Sequence, residues 1–296
     1  MRKVIAIVEK DKCHPNKCQH ECMKYDPVNK SGGEGFHLGE SGKSEIAESV
    51  VMEIHKICAK KCPFKAIHII NLPEKLKEDP IHRYGRNSFE LYSLPIVKPN
   101  TIVGIIGRYG IGKTSALQIL TGTIKPNLGN YKKIAEDNII VKKYSKTWLG
   151  DYFKKFLKKE VKVSYKPQRV ELITEIYKGH TVKELLNKVD ERKIVNSLLD
   201  GLDMHPLSER KVEELSGGEL QRVAIIATVA RNADVYYFDE PSSFLDIVHR
   251  IKVAKLIRTL SKHASVIVVE HDLATLDYIS DEIQIVYGEQ ACYGIF

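Results

Sequence analysis

The chain has 296 residues, enough for one large domain or two modest ones, and its formal net charge is +8. Hydrophobic residues make up 43% and charged residues 28%, which is ordinary for a globular protein. No apolar run approaches the roughly 18–20 residues that cross a bilayer, and the N-terminal apolar stretch is too short for a signal peptide. The sequence therefore predicts a cytoplasmic protein that does not act within a membrane and does not depend on structural disulfides.

The N-terminal part contains five of the six cysteines, all within the first 62 residues. Residues 29–49 are rich in Gly, Ser, Glu and Lys and predict a loop. The apolar run Ile67–Pro73 predicts a strand that ends at the proline. The chain becomes highly charged over residues 74–80, which indicates a boundary between two domains, residues 1–78 and 79–296.

The larger part shows strands that alternate with helices. Three continuous apolar runs, Thr101–Gly107, Asp234–Glu240 and Ser265–His271, are typical of buried strands. Helices are predicted at Thr114–Thr121 and through Ile251–Leu260. This alternation predicts an α/β domain with a largely parallel sheet covered by helices.

A phosphate-binding loop follows the first of these strands, because Gly107–Thr114 matches G-x-x-x-x-G-K-[ST]. Glycines let the backbone wrap round the phosphates, so that its N–H groups and the next helix N-terminus face the anion. The lysine reaches the β- and γ-phosphates, and the hydroxyl holds Mg²⁺. The predicted ligands of ATP and Mg²⁺ are Gly107, Gly110, Gly112, Lys113, Thr114 and Ser115.

Further motifs resemble those of ABC ATPases. Leu215–Arg222 reads LSGGELQR and resembles the ABC signature motif, and Asp239-Glu240 ends an apolar strand as a Walker B motif does. Gln168 occupies the Q-loop position, His271 follows the next strand as the switch histidine does, and Ser243–Asp246 resembles the D-loop. Many ABC proteins have Asn where this chain has Tyr109, and this difference is expected to alter loop packing or nucleotide affinity.

This resemblance implies a composite ATPase site. Asp239 is expected to orient Mg²⁺ and its water, Glu240 to polarise the attacking water, and Gln168 to contact the metal. His271 completes the expected catalytic group. The signature and D-loop residues are expected to face the γ-phosphate of ATP that is bound to an opposite nucleotide-binding domain. These residues are Ser216, Gly217, Gly218 and Asp246.

Five segments together resemble the E subfamily of ABC proteins, the ribosome-recycling factors also called RNase L inhibitors. They are His82–Pro95, Lys125–Gly129, Asp239–Asp246, Val268–Tyr278 and Tyr287–Gly294. The likeness extends over nearly the whole chain. It implies a two-cluster ferredoxin-like α+β domain, a first nucleotide-binding domain, a hinge and a second nucleotide-binding domain.

The same resemblance implies that Tyr84 and Phe89 flank the adenine, since an aromatic ring is a stacking platform for any base. Each of them is equally compatible with a core position. The implied partners are the ribosome, through rRNA and the small subunit, a release or rescue factor, and a second nucleotide-binding domain. A single domain supplies half of each composite site, so slow or no hydrolysis is expected for a monomer.

The cysteines depart from the family pattern of two runs of four. In two-cluster ferredoxin folds the last cysteine of each run binds the other cluster. The first cluster then retains Cys13, Cys18, Cys22 and Cys62. The second retains one cysteine, since its positions are Asp26, Met52, His55 and Cys58.

This pattern predicts one [4Fe–4S] cluster and the loss of the other. A tetrahedral Zn²⁺ site and an empty, degenerate site are alternatives for the four retained cysteines. His55 and Met52 are interpreted as packing or surface residues. Cys58 and Cys292 are interpreted as ordinary free thiols.

The positive charge is concentrated between Lys142 and Arg169, which contain ten Lys or Arg and two acids. Apolar residues recur at helical spacing over Trp148–Leu157, with Lys154, Lys155, Lys158 and Lys159 between and after them. A solvated charged face is the plainer interpretation. The E subfamily carries a helix–loop–helix insertion here, near residues 144–166, that touches the ribosome, so contact with rRNA phosphates is expected.

Taken together, the sequence predicts an ATP-driven factor that separates ribosomal subunits. Two other hypotheses stay open. One is the ATPase subunit of a membrane transporter, which the cysteine-rich domain disfavours. The other is a reduced, non-hydrolysing family member that remains bound to the ribosome.

Overall fold

The computed structural model describes residues 4–73 and 79–296. The predicted domain boundary at residue 78 lies outside the described residues. No helix in the described ranges is long and apolar enough to cross a bilayer.

Residues 4–73 form a small α+β unit with two antiparallel strand pairs, β1 with β4 and β2 with β3. Residues 29–49 were predicted as a loop, and that prediction is wrong in part, because a short hairpin turns at Gly39–Gly42 within them. The strands are β1 (Val4–Val8), β2 (His37–Leu38), β3 (Ser44–Glu45) and β4 (Ile67–Asn71), and the helices are α1 (Glu21–Lys24), α2 (Pro27–Lys30) and α3 (Lys56–Lys61).

The larger part is built on a parallel sheet, as the apolar runs predict. Its strands lie in the spatial order Glu282–Ile285, Ile102–Ile106, Ser265–Val269, Val235–Asp239 and Val163–Lys166. Its strands are β7 (Ile102–Ile106), β8 (Val163–Lys166), β9 (Val235–Asp239), β10 (Ser265–Val269) and β11 (Glu282–Ile285). The remaining helices are α4 (Lys113–Leu120), α5 (Asp137–Lys143), α6 (Trp148–Leu157), α7 (Leu172–Ile176), α8 (Val182–Asn187), α9 (Val195–Gly201), α10 (Gly217–Ala230), α11 (Ile247–Leu260) and α12 (Leu273–Ile279).

A second, smaller sheet adjoins the phosphate-binding loop. Its strand order is β12-β13-β6-β5, so that the C-terminal hairpin pairs with the start of this part of the chain. Its strands are β5 (His82–Arg83), β6 (Glu90–Leu91), β12 (Tyr287–Glu289) and β13 (Tyr293–Ile295).

Strand β1 joins the two parts through its alternating faces. Ala6 and Val8 point into the core that contains Cys13, Cys22 and Cys58, because successive side chains of a strand point to opposite faces. Ile5 and Ile7 point the other way and pack with Cys292 of the larger part. A strand with two buried faces thus forms part of the interface between the two parts.

Hydrogen bonds from Asn87 strengthen the same interface. Its side-chain Nδ2 donates to the Ala6 carbonyl and its Oδ1 accepts from the Ile46 amide, both at 3.0 Å. Its own carbonyl accepts from the Val8 amide at 2.8 Å. Asn87 is 2% exposed and has φ of 50°, a left-handed conformation that asparagine tolerates.

The basic insertion is a helix pair, but the predicted range of 144–166 is displaced. The first helix, α5, begins at Asp137, and residues 163–166 form β8 of the central sheet. The aromatic face of α6 is buried, and the Tyr152 hydroxyl donates to the Leu120 carbonyl at 2.6 Å and lies 2.8 Å from the Tyr237 hydroxyl. The four lysines at 154, 155, 158 and 159 are exposed.

Replacing Asn87 by alanine is expected to lower the free energy of unfolding by roughly 2–4 kcal/mol, because two buried backbone groups lose their partners. Asn100→Ala is the matched control, since Asn100 is exposed and has the same φ of 50°. Chemical denaturation followed by fluorescence measures both variants. Equal losses in the two variants would show that backbone strain, and not the interface, explains the effect.

Candidate nucleotide site and cysteine cavity

The phosphate-binding loop joins β7 to α4 in a conformation that needs its glycines. Gly110 and Gly112 have φ of 70° and 92°, and a Cβ at Gly112 would lie 2.7 Å from the Phe89 ring. Lys113 is buried, and its Nζ donates to the carbonyls of Gly107 and Arg108, both at 2.7 Å. Burial lowers the pKa of Lys113, while Glu240 and Asp239 oppose that shift.

The two acidic residues lie at the carboxyl end of β9. Asp239 is fully buried, and the Thr114 hydroxyl lies beside its carboxylate. Burial raises the pKa of Asp239, and the nearby Thr114 and Lys166 limit the rise. Among the described residues, Asp239 Oδ1 has no hydrogen bond of ordinary geometry, which leaves a buried oxygen for a cation or its water.

Glu240 is approached by side chains from three other positions. Gln168 Nε2 donates to its Oε1 at 2.9 Å, the Ser243 hydroxyl donates to Oε2 at 3.3 Å, and His271 Nε2 lies 3.3 Å from Oε1. Burial and Lys113 lower the pKa of His271, and Glu240 acts in the opposite direction. Glu240 has φ of 51°, an uncommon conformation that is often found at functional sites.

A cleft of about 560 Å³ lies over these groups and is closed on one side by the N-terminal part. Its wall includes residues 7–11 of that part, together with Tyr84 and Phe89. Tyr84 is half-exposed, its hydroxyl donates to Ser115 at 2.8 Å, and its ring centroid lies 6.4 Å from that of Phe89. Both rings therefore border the cleft, and Phe89 also packs against the core of the larger part.

The predicted signature and D-loop residues lie outside this cleft. Ser216 caps α10 with a capping box, in which Glu219 accepts from the Ser216 amide at 2.7 Å. Gly217 is exposed and neighbours Phe244 of the D-loop, so the two motifs share one surface. Asp246 caps α11 and bonds His249 at 2.7 Å. The structure thus separates this chain's signature from its own phosphate-binding loop.

Sequence reasoning missed two buried residues beneath the carboxylates. Lys166 is completely buried, and its Nζ donates to the carbonyls of Asp239 and Glu240 at 2.9 and 3.2 Å. Burial lowers the pKa of Lys166 to about 8. Gln221 donates to the Glu240 carbonyl at 2.7 Å. Strand β8 alternates between partly buried and buried residues, and a lysine at one of its buried positions is the signal that points to such a role.

The four retained cysteines line one cavity in the N-terminal part. They are Cys13, Cys18, Cys22 and Cys62. A single zinc ion bound by four thiolates would bring their sulfurs within about 3.8 Å of one another, given a Zn–S distance near 2.3 Å. No such group of three or more metal-ligating residues occurs among the described residues. The four thiols nevertheless border one cavity, as the ligands of a shared metal site must.

Two of the positions expected for a second cluster, Asp26 and His55, contact other groups of the protein. Asp26 and His55 are completely buried, and Asp26 Oδ1 lies 3.4 Å from His55 Nε2. The Asp26 carboxylate also accepts from the Val28 amide at 2.8 Å and the Phe36 amide at 2.6 Å. Met52, by contrast, is 48% exposed. The interpretation of His55 and Met52 as packing and surface residues agrees with this arrangement.

Comparison with protein families identifies the class. Residues 95–243 match the family model described as "ABC transporter", and residues 4–34 match a "Possible Fer4-like domain in RNase L inhibitor, RLI". The chain belongs to the ABC family of ATPases, with a Fer4-like domain at its N-terminal end.

Curated relatives narrow the resemblance to the E subfamily. The chain is 44% identical over 292 residues to ABC transporter E family member 1 of Arabidopsis thaliana. The aligned residues make up 98% of this chain and 48% of the Arabidopsis protein. It is 43% identical over 296 residues to translation initiation factor RLI1 of Saccharomyces cerevisiae, covering 98% and 49%. The chain therefore spans about half the length of the curated relatives it matches.

Solved structures of E-subfamily proteins also resemble this chain. The structure titled "Model of ribosome-bound archaeal Pelota and ABCE1" matches 99% of this chain and 49% of that chain with a TM-score of 0.91 and 46% identity. A complex of archaeal ribosomal stalk protein aP1 with the archaeal ribosome recycling factor aABCE1 matches 75% and 43%, with a TM-score of 0.72 and 47% identity.

Proposed function

We propose that this chain is the ATP-binding and ribosome-contacting half of a ribosome-recycling ATPase of the E subfamily. The proposal rests on a cleft in which the phosphate-binding loop, Glu240 and the N-terminal part meet. The carboxylate of Asp239 is buried beside Thr114, which lines the same cleft. ATP in this cleft would touch both parts of the chain, so nucleotide binding and the position of the N-terminal part are linked.

The residues around the cleft have the chemistry for Mg²⁺-ATP. Thr114, Gln168 and the buried Asp239 offer the oxygen ligands that Mg²⁺ prefers, directly or through water. When bound, the metal would neutralise charge on the β- and γ-phosphates. Lys113 is placed to exchange its two carbonyl partners for phosphate oxygens, and Tyr84 and Phe89 to hold the adenine.

Glu240 is proposed as the group that polarises the attacking water, and Gln168 and His271 hold its carboxylate in place. The signature residues Ser216, Gly217 and Gly218, with Asp246 nearby, are proposed to complete the site of a second nucleotide-binding domain. Their exposure and their separation from the cleft support this division. Hydrolysis would then require two domains, in one chain or in two.

The cysteine cavity is proposed to hold one [4Fe–4S] cluster through Cys13, Cys18, Cys22 and Cys62. Hydrogen bonds and burial at Asp26 and His55 support the loss of the second cluster, since three of its four thiolates are absent. The remaining cluster would act as a structural support for the domain that faces the ribosome. A release or rescue factor is proposed as an additional partner on the ribosome, in a cytoplasmic setting.

Lys113→Ala is expected to weaken Mg²⁺-ATP binding about 10- to 100-fold, because a charge-assisted hydrogen bond to phosphate is lost. Lys255→Ala, at an exposed lysine outside the cleft, is the control. Titration with a fluorescent ATP analogue measures both variants.

ATP turnover per chain should also be slow and rise with protein concentration. High turnover independent of concentration would contradict the composite site.

Iron analysis after anaerobic reconstitution should find about four iron atoms per chain, as one [4Fe–4S] cluster requires. Cys13→Ser is expected to abolish iron binding, whereas Cys58→Ser retains it. Nearly eight iron atoms would contradict the loss of the second cluster. One zinc ion without iron would replace the cluster assignment with a zinc site.

Reversing Lys154, Lys155, Lys158 and Lys159 to glutamate is expected to weaken ribosome binding at least tenfold at low salt, because phosphate neutralisation is lost. Sedimentation with ribosomes, in ATP and in ADP, provides the measurement. The control reverses four exposed lysines elsewhere, Lys178, Lys188, Lys255 and Lys262. Unchanged sedimentation of the first variant, or an equal loss in the control, argues against a specific contact by α6.

A further inference from the structure

Tyr109 of the phosphate-binding loop forms an aromatic stack with His271. The two ring centroids are 4.0 Å apart and the planes differ by 16°. Tyr109 is 61% exposed, so burial alone does not explain its position. The residue that follows it, Gly110, has φ of 70° and sets the direction of the turn that carries the ring.

This stack completes a chain of contacts that ends at the carboxylate of Glu240. The Tyr109 ring covers one face of the His271 imidazole, whose Nε2 lies 3.3 Å from Glu240 Oε1. Lys113 Nζ lies 5.5 Å from the centroid of the same tyrosine ring. Two loops that are far apart in sequence, after β7 and after β10, are thereby connected, and Tyr109 itself lines the cleft.

We propose that Tyr109 is a positioning residue for ATP hydrolysis, which fixes the plane of His271 so that its Nε2 stays directed at Glu240. The inference rests on the proposed roles of His271 and Glu240. The terminal torsion of a histidine is broad and roughly two-fold, so an unstacked imidazole samples orientations that turn Nε2 away. An asparagine at position 109 has no ring to stack and leaves that rotation free.

Kinetics of the full chain with ribosomes and Mg²⁺-ATP test this role, at a protein concentration high enough for two chains to complete the composite site. An aromatic pair contributes a roughly 2- to 13-fold bias toward the stacked geometry, so Tyr109→Asn should lower kcat by about that factor and leave KM unchanged. Tyr109→Phe keeps the ring and should keep kcat. Tyr287→Asn is the matched control, because Tyr287 is equally exposed, at 61%, and lies outside the cleft.

A double-mutant comparison decides whether Tyr109 acts through His271. In a His271→Ala background, Tyr109→Asn should have no further effect on kcat. An undiminished loss of kcat in that background overturns the proposal. An increase in KM at constant kcat also overturns it, because Tyr109 would then be a nucleotide-binding aromatic.

Nuclear magnetic resonance of the full chain without nucleotide provides a readout that does not depend on turnover. The imidazole signals that disappear in His271→Ala should lie upfield in the wild-type chain, move downfield in Tyr109→Asn, and stay upfield in Tyr109→Phe. Unmoved signals in Tyr109→Asn overturn the stack. Failure of the wild-type chain to bind Mg²⁺-ATP contradicts the proposed function, whereas the shifted signals report the stack alone.

Discussion

The site depends on the register of three neighbouring parallel strands. In the central sheet β10 lies between β7 and β9, with Val269 opposite Ile105 on one side and opposite Asp239 on the other. Because parallel strands end at the same edge, the phosphate-binding loop, the acidic pair and His271 emerge side by side. A slip of one strand by one residue would turn these side chains to the other face and separate the groups.

The same edge concentrates buried charge, which the backbone and Lys166 stabilise. Asp239 has lost its water, and burial has shifted the pKa values of both Asp239 and Lys166 toward the neutral forms. Lys166 bonds the carbonyls of the two acidic residues and so fixes the turn that places Glu240 at φ of 51°. The buried carboxylate of Asp239, with one oxygen that has no hydrogen-bond partner among the described residues, is a group whose charge a bound cation would neutralise.

Sequence reasoning located the parts of the site that are local in the chain. The phosphate-binding loop and the acidic pair need particular residue types at consecutive positions, so their motifs can be recognised without a structure. Lys166 and Asn87 were missed because their roles depend on partners about 70 and 40–80 residues away in sequence. The predicted range of the insertion was displaced for a related reason. The positive charge continues from α6 into β8, so charge alone did not show that Lys166 is buried in the central sheet.

The interface between the two parts connects the cleft to the N-terminal part through one loop. The loop from Tyr84 to Phe89 provides the aromatic pair of the cleft and also Asn87, which bonds the backbone of the N-terminal part. A short loop cannot move its aromatic residues without disturbing those hydrogen bonds. Suppose that a partner displaces the N-terminal part and thereby changes the affinity of the cleft for its ligand. Thermodynamic reciprocity then requires that the ligand changes the affinity for that partner by the same factor.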